Sequence, residues 1–158
     1  MAIYMKFGSV NGAVTTKGFE KWIELSSFHW GVGRSVGTAA RGSTTRESSE
    51  PSISEVTVTK VMDMASNALF ADAVGGDFST KVNLKFTTTT KDTVTTFLAY
   101  ELTETGVSGY SLGSDGHAPT ESLSLNFTKV MITYTGLDSK TSGAPDTVGY
   151  DLKTMHKV

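Results

Sequence analysis

Residues 81–86 run Lys-Val-Asn-Leu-Lys-Phe, with Val82, Leu84 and Phe86 on one face and Lys81, Asn83 and Lys85 on the other. Such alternation fits a pleated strand with one side against a core and the other in water. The polar run "TTTKDT" that follows reads as a hairpin turn. Beyond it, "TVTTFLAYEL" returns with Val94, Leu98, Tyr100 and Leu102 sharing a parity. "AIYMKF" alternates through Ile3, Met5 and Phe7, and "ISEVTVTK" supplies another strand. Serine and threonine make up about a quarter of the chain, and threonine suits a half-buried pleated surface. The expected fold class is mainly β.

One helix is expected, in "DMASNALFADAVGG". Ala65, Leu69 and Ala73, with Phe70 and Val74 offset by one, form a stripe of 3.6-residue period, expected to face the core. Asp63 or Ser66 is placed to cap its start, and Gly75-Gly76 to end it in a left-handed conformation. The stretch "ESLSLNFTKVMITYT" is less regular. Leu123, Leu125 and Phe127 are apolar at odd positions, but Val130, Ile132 and Tyr134 at even ones. Either a bulge at Thr128-Lys129 shifts the phase, or one long strand is buried on opposite faces at its two ends.

With 158 residues, the chain is expected to form one domain with a sizeable core. It has no cysteine, which excludes disulfides, thiolate nucleophiles and zinc–thiolate sites. A net charge of −2 argues against a domain that binds nucleic acid by neutralising phosphates. No apolar run approaches the roughly 18–20 residues needed to span a bilayer. "MAIYMKFGSVNG" lacks the basic start, apolar stretch and cleavage site of a signal peptide, so any export is expected to need a dedicated machine.

Four stretches bear on chemistry. "GVGRSVG" looks like a phosphate loop, but its glycine spacing is one too long and no helix follows. His29, His117 and His156 are scattered, so no metal site and no cofactor is expected. "GYSLGSDGH" contains G-x-S-x-G with Asp115 and His117 behind Ser111, the order of a serine hydrolase. Nothing after Ser111 can form the helix such an elbow needs, so Gly109, Gly113 and Gly116 are expected simply to turn the chain. In "ELSSFHWGV", Phe28 and Trp30 form the natural core pair, which leaves Ser27 and His29 on a wetter face. The segment from about 31 to 51, "GVGRSVGTAARGSTTRESSEP", has no periodicity, and its length marks a functional or partner-ordered loop.

Taken in order, "SSFHWGV" running into a Gly/Ser-rich loop, "TKVMD" leading to a small helix, "SLNFTKVMITY" and the closing "GYDLK" resemble the Hcp family. These are the tube proteins of the bacterial type VI secretion system, akin to phage tail-tube subunits. The likeness spans nearly the whole chain; Tyr150 stands where, or near where, the family usually carries tryptophan. The resemblance implies a compact β-barrel of two packed antiparallel sheets with one short flanking helix, as a single domain over residues 1–158. It implies homohexameric rings, stacked into a tube that a contractile sheath propels outward together with spike and baseplate proteins. The chain would then be cytoplasmic before firing and secreted afterwards, with no enzymatic activity of its own. Ring stacking would fall to Arg34, Arg41, Arg46, Glu47 and Glu50 of the long loop, and contact with effectors in the lumen to Ser27 and His29. Two other functions stand beside it: a serine hydrolase using Ser111, and a monomeric β-domain that binds a small ligand.

Overall fold

In a computed structural model of the chain, residues 1–37, 48–136 and 145–158 are described. The strands are β1 (Ala2–Phe7), β2 (Ile23–Leu25), β3 (Ser27–His29), β4 (Val32–Gly33), β5 (Ser52–Ile53) and β6 (Val56–Val61). The helix α1 (Ser66–Gly75) follows. The remaining strands are β7 (Thr80–Thr90), β8 (Thr93–Gly113), β9 (Thr120–Asn126), β10 (Lys129–Tyr134), β11 (Asp146–Asp151) and β12 (His156–Lys157).

Every pairing is antiparallel. One sheet runs β2-β1-β7-β8-β10-β11-β12; the other runs β3-β6-β9 and returns to β8. The 21-residue β8 belongs to both: its first half lies between β7 and β10, its second half pairs with β9. The chain also changes sheet at Ser26, where β2, paired to β1, becomes β3, paired to β6. These shared strands close the two sheets into a barrel, which leaves fewer free edges than an open sandwich.

β8 turns its corner at Glu104, which holds φ 51°, and a register shift lies between Val107 and Gly109. β9 and β10 follow it around the same corner, breaking at Phe127-Thr128. Glu104 fastens the two bends together, accepting a 2.9 Å hydrogen bond from the Thr128 hydroxyl. The Lys153 ammonium and Thr128 hydroxyl that bond to this carboxylate hold its pKa below the usual range. The change of parity in "ESLSLNFTKVMITYT" is therefore neither a bulge in a single strand nor one strand buried on two sides. It is a passage from one sheet to the other, and Leu123, Leu125, Phe127 and Val130 all enter the same core.

That core is built from the alternating residues: Met5 and Phe7 of β1, Val56 and Val58 of β6, Val82 and Leu84 of β7, Leu102 and Val107 of β8. Each large aliphatic buried there contributes about 1.5–3 kcal/mol of hydrophobic free energy. The turn between β7 and β8 is a two-residue one at Lys91-Asp92, with both φ angles positive (45° and 65°), as the strand twist favours.

Three local expectations need correction. Leu69 and Ala65 are buried beneath α1, but Phe70 and Val74 point away from the core, 53% and 72% exposed. The N-cap is Ala65, without a side-chain bond; Asp63 instead accepts from the Ala65 N–H, and Ser66 accepts from the Asp63 N–H. Gly76 ends the helix in an extended conformation, φ −67°, and not a left-handed one. Glycine is required there by proximity, since a Cβ would lie 2.5–2.7 Å from Asp72.

Candidate functional site

The second sheet places β3, β6, β9 and the end of β8 side by side, and alternation gives it two unlike faces. Inward lie Phe28, Val58, Leu123 and Tyr110 in one row across the strands. Outward, the register aligns Ser27, Thr59, Ser122 and Ser111 in one row, and His29, Thr57, Ser124 and Gly109 in the next. These two rows carry hydroxyls and one imidazole but no lysine, arginine, aspartate or glutamate. The hydroxyls of Ser27 and Thr59 bond to each other at 2.5 Å. Ser27 and His29 thus stand on the wetter face as their parity indicated, with Phe28 and Trp30 packed against the core.

Ser111 lies within β8, so Gly109 and Gly113 are strand residues and do not turn the chain. The turn is confined to Ser114–Pro119, with Gly116 at φ 99°. Across the strand from Ser111 is Ser122, and His117 sits in the turn, its backbone N–H reaching Asp115 at 3.4 Å. Among the described residues, no imidazole bonds to the Ser111 hydroxyl, and a strand runs where an elbow would need a helix. Nor do three His, Asp or Glu side chains gather in metal-ligand geometry among the described residues.

Among the described residues no strand flanks the outer side of β3 or of Gly109–Gly113. At the second edge, α1 provides one substitute partner: Asp72 accepts from the Val107 N–H at 2.8 Å. The two edge strands run in opposite directions, because three antiparallel pairings connect them.

A buried charge cluster closes the barrel beneath α1. Lys60 and Glu121 face each other across β6 and β9, both 0% exposed, with Nζ to Oε1 at 2.7 Å. Lys60 also meets Asp63 at 2.9 Å, and Ser66 donates to Glu121. Burial pulls the Glu121 pKa upward, but the Lys60, Ser66 and Tyr110 hydrogen bonds outweigh it and the net displacement is down. In turn, the Glu121 carboxylate pushes the Tyr110 phenol up to about 12. Oε2 of Glu121 nonetheless has no partner at well-formed geometry, so the Tyr110 contact is loose.

Of the loop residues singled out in the sequence, Arg34 and Glu50 are exposed at the base of the β4–β5 ribbon. Both lie between the Gly33–Ser52 pair and the Val36–Ser48 bridge. Arg41, Arg46 and Glu47 lie outside the described residues. Thr57, Thr59, Ser122 and Ser124 escaped sequence reasoning, although the alternation Thr-Val-Thr and Ser-Leu-Ser in their strands was a usable signal.

The family model described as "Type VI secretion system effector, Hcp" matches residues 4–134. A type six secretion system protein of known structure is 30% identical, covering 99% of both chains with a TM-score of 0.87. Hcp1 from Salmonella typhimurium shares the fold at 20% identity, covering 99% of this chain and 98% of its own, with a TM-score of 0.77. A type VI secretion system effector from Yersinia pestis does so at 17% identity, covering 94% and 98%, with a TM-score of 0.73. A search of curated proteins finds no match.

Proposed function

The chain belongs to the Hcp family of type VI secretion proteins, and from that premise we propose that it is a ring-forming subunit of the secretion tube. The observation that carries this reading is the four-stranded sheet whose two outer strands have no further partner among the described residues. Rotation about an axis roughly along the strands keeps their direction. It would therefore set the β8 edge of one copy antiparallel to the β3 edge of the next, continuing the alternation. Such a contact is heterologous, and repeated it closes a ring and removes both edges. A hexamer is the closure the family resemblance implies.

In that ring the hydroxyl face, with Ser27 and His29, lines the lumen and touches effector proteins carried inside. The loop residues Arg34, Arg41, Arg46, Glu47 and Glu50 meet the next ring. Exposed ion pairs contribute only about 0–1 kcal/mol each, so stacking held by them weakens with salt. Sheath, spike and baseplate proteins are the further partners, and residues 1–158 act as one structural unit without a reaction of their own. The tube assembles in the cytoplasm and is expelled on contraction.

The chain has no cysteine, so introduced ones report cleanly on edge pairing. Ser27→Cys is combined in turn with Gly109→Cys, Ser111→Cys or Gly113→Cys, which covers the possible registers. Mild oxidation should give a ladder of covalent oligomers that ends at the closed ring in at least one combination. Monomer alone in all three would overturn the edge-paired ring.

A further inference from the structure

An apolar groove of about 190 Å³ lies between the β4–β5 ribbon and the inner side of β10–β11. Trp30, Val32, Ile53, Ile132, Val148 and Tyr150 line it. Val32 is 60% and Val148 44% exposed, so its mouth is open to water. Trp30 and Val32 directly follow β3, which puts the groove beside the β3 edge. The outward face of α1 is the converse feature. Phe70 and Val74, one helical turn apart, form an apolar ridge, with Phe70 resting edge-on against Tyr110 of β8. The ridge therefore sits beside the β8 edge.

We infer that the groove takes the α1 ridge of a second copy of this chain. This rests on the edge-paired ring proposed above. Both features lie on the core side of the four-stranded sheet, behind its hydroxyl face, and at its two opposite ends. When the β8 edge of one copy meets the β3 edge of the next, the ridge of the first approaches the groove of the second. Ala65, Ser66, Leu69 and Ala73, with the Asp72–Val107 hydrogen bond, hold the helix to its own barrel without Phe70 or Val74 entering the core. The solvent exposure of Phe70 and Val74 is therefore the cost of keeping an apolar contact for the neighbour. The pairing is heterologous, like that of the edges, and so repeats around the same ring. Two patches of different shape also fix which copy faces which, a specificity that backbone pairing alone lacks.

Phe70→Asp and Val148→Asp test this, since both side chains are exposed and neither change should unfold the subunit. Circular dichroism and a melting curve of the dissociated variants check that directly. Sedimentation across a concentration series should show each variant needing at least about tenfold more protein to assemble, as for a central apolar contact. Phe70→Lys combined with Val148→Asp should recover part of that loss, because the new charges then meet across the contact. Assembly of both single variants at the unmodified concentration overturns the ridge-in-groove contact, and the edge-paired ring stands if its cysteine ladder still forms. An unmodified chain that never assembles overturns both.

Discussion

Lys60 and Glu121 are the residues with most at stake in the fold, because each is a charge with no access to water. Their attraction offsets the cost of desolvation only while both are present. Lys60→Met leaves Glu121 buried opposite Asp63 with no cation, and should cost about 3–5 kcal/mol in denaturant unfolding. Glu121→Gln leaves Lys60 with Asp63 as a partner, so its loss should be smaller, about 1–3 kcal/mol. The depressed Glu121 pKa also sets a pH dependence. A carboxylate held below its unfolded value contributes stability that is complete above that value, about 4.3 for glutamate. The contribution fades as pH falls through the folded value. Stability should therefore decline below about pH 4, and Glu121→Gln should flatten that decline. An equal acid slope in both proteins would assign the effect to other carboxylates.

At the scale of elements, what could be read in advance was whatever is half-buried. β1, β7 and the first half of β8 alternate because one face meets the core, and Met5, Phe7, Val82, Leu84 and Leu102 were legible one by one. Val94 and Leu98 share that parity in the sequence but stay outside the core, where a register shift interrupts the β7–β8 pairing. The second half of β8 was not. Gly109 and Gly113 look like turn residues, and the strand shows only through its pairing with β9, a contact remote in sequence. The corner at Phe127-Thr128 left a trace in the parity of its apolar residues, but local sequence cannot say that the strands on either side belong to different sheets. The helix stripe was read as core because a lone helix must bury its apolar side, and Phe70 and Val74 break that rule. Ser27 and His29 were found by parity; the Thr57, Thr59, Ser122 and Ser124 rows needed the register.

A second element-level consequence concerns the segment between β1 and β2, which folds back over the outer side of the first sheet. Phe19 stacks on Tyr4 at 4.7 Å, and Lys85 lies over the Phe19 and Trp22 rings at 5.9 and 5.4 Å. Gly12 lets this flap close, since a Cβ there would fall 2.2 Å from the Trp22 carbonyl oxygen. That obstacle is backbone and cannot rotate away. Gly12→Ala should destabilise by about 1–3 kcal/mol, as overpacking does. The loss should appear as a lowered denaturant midpoint with greater quenching of tryptophan fluorescence. Unchanged values would mean that the flap has room to shift.

At the scale of the whole molecule, the barrel solves part of its edge problem internally. Among the described residues β2 and β12 end the first sheet, and β3 and the end of β8 are the edges of the second that the proposed ring would pair. A free-standing monomer with those edges, an open apolar groove and an apolar helix ridge would be prone to uncontrolled association. A ring satisfies all of these features with one repeated contact. The two rows that hold Ser27 and His29 would then present hydroxyls to the lumen, with the exposed Glu55 carboxylate next to them on Ser108. Native mass spectrometry of the purified chain is the most direct test of the ring. The account predicts a dominant species at six times the 16.8 kDa of one chain; a single-chain mass at every concentration tried would contradict it.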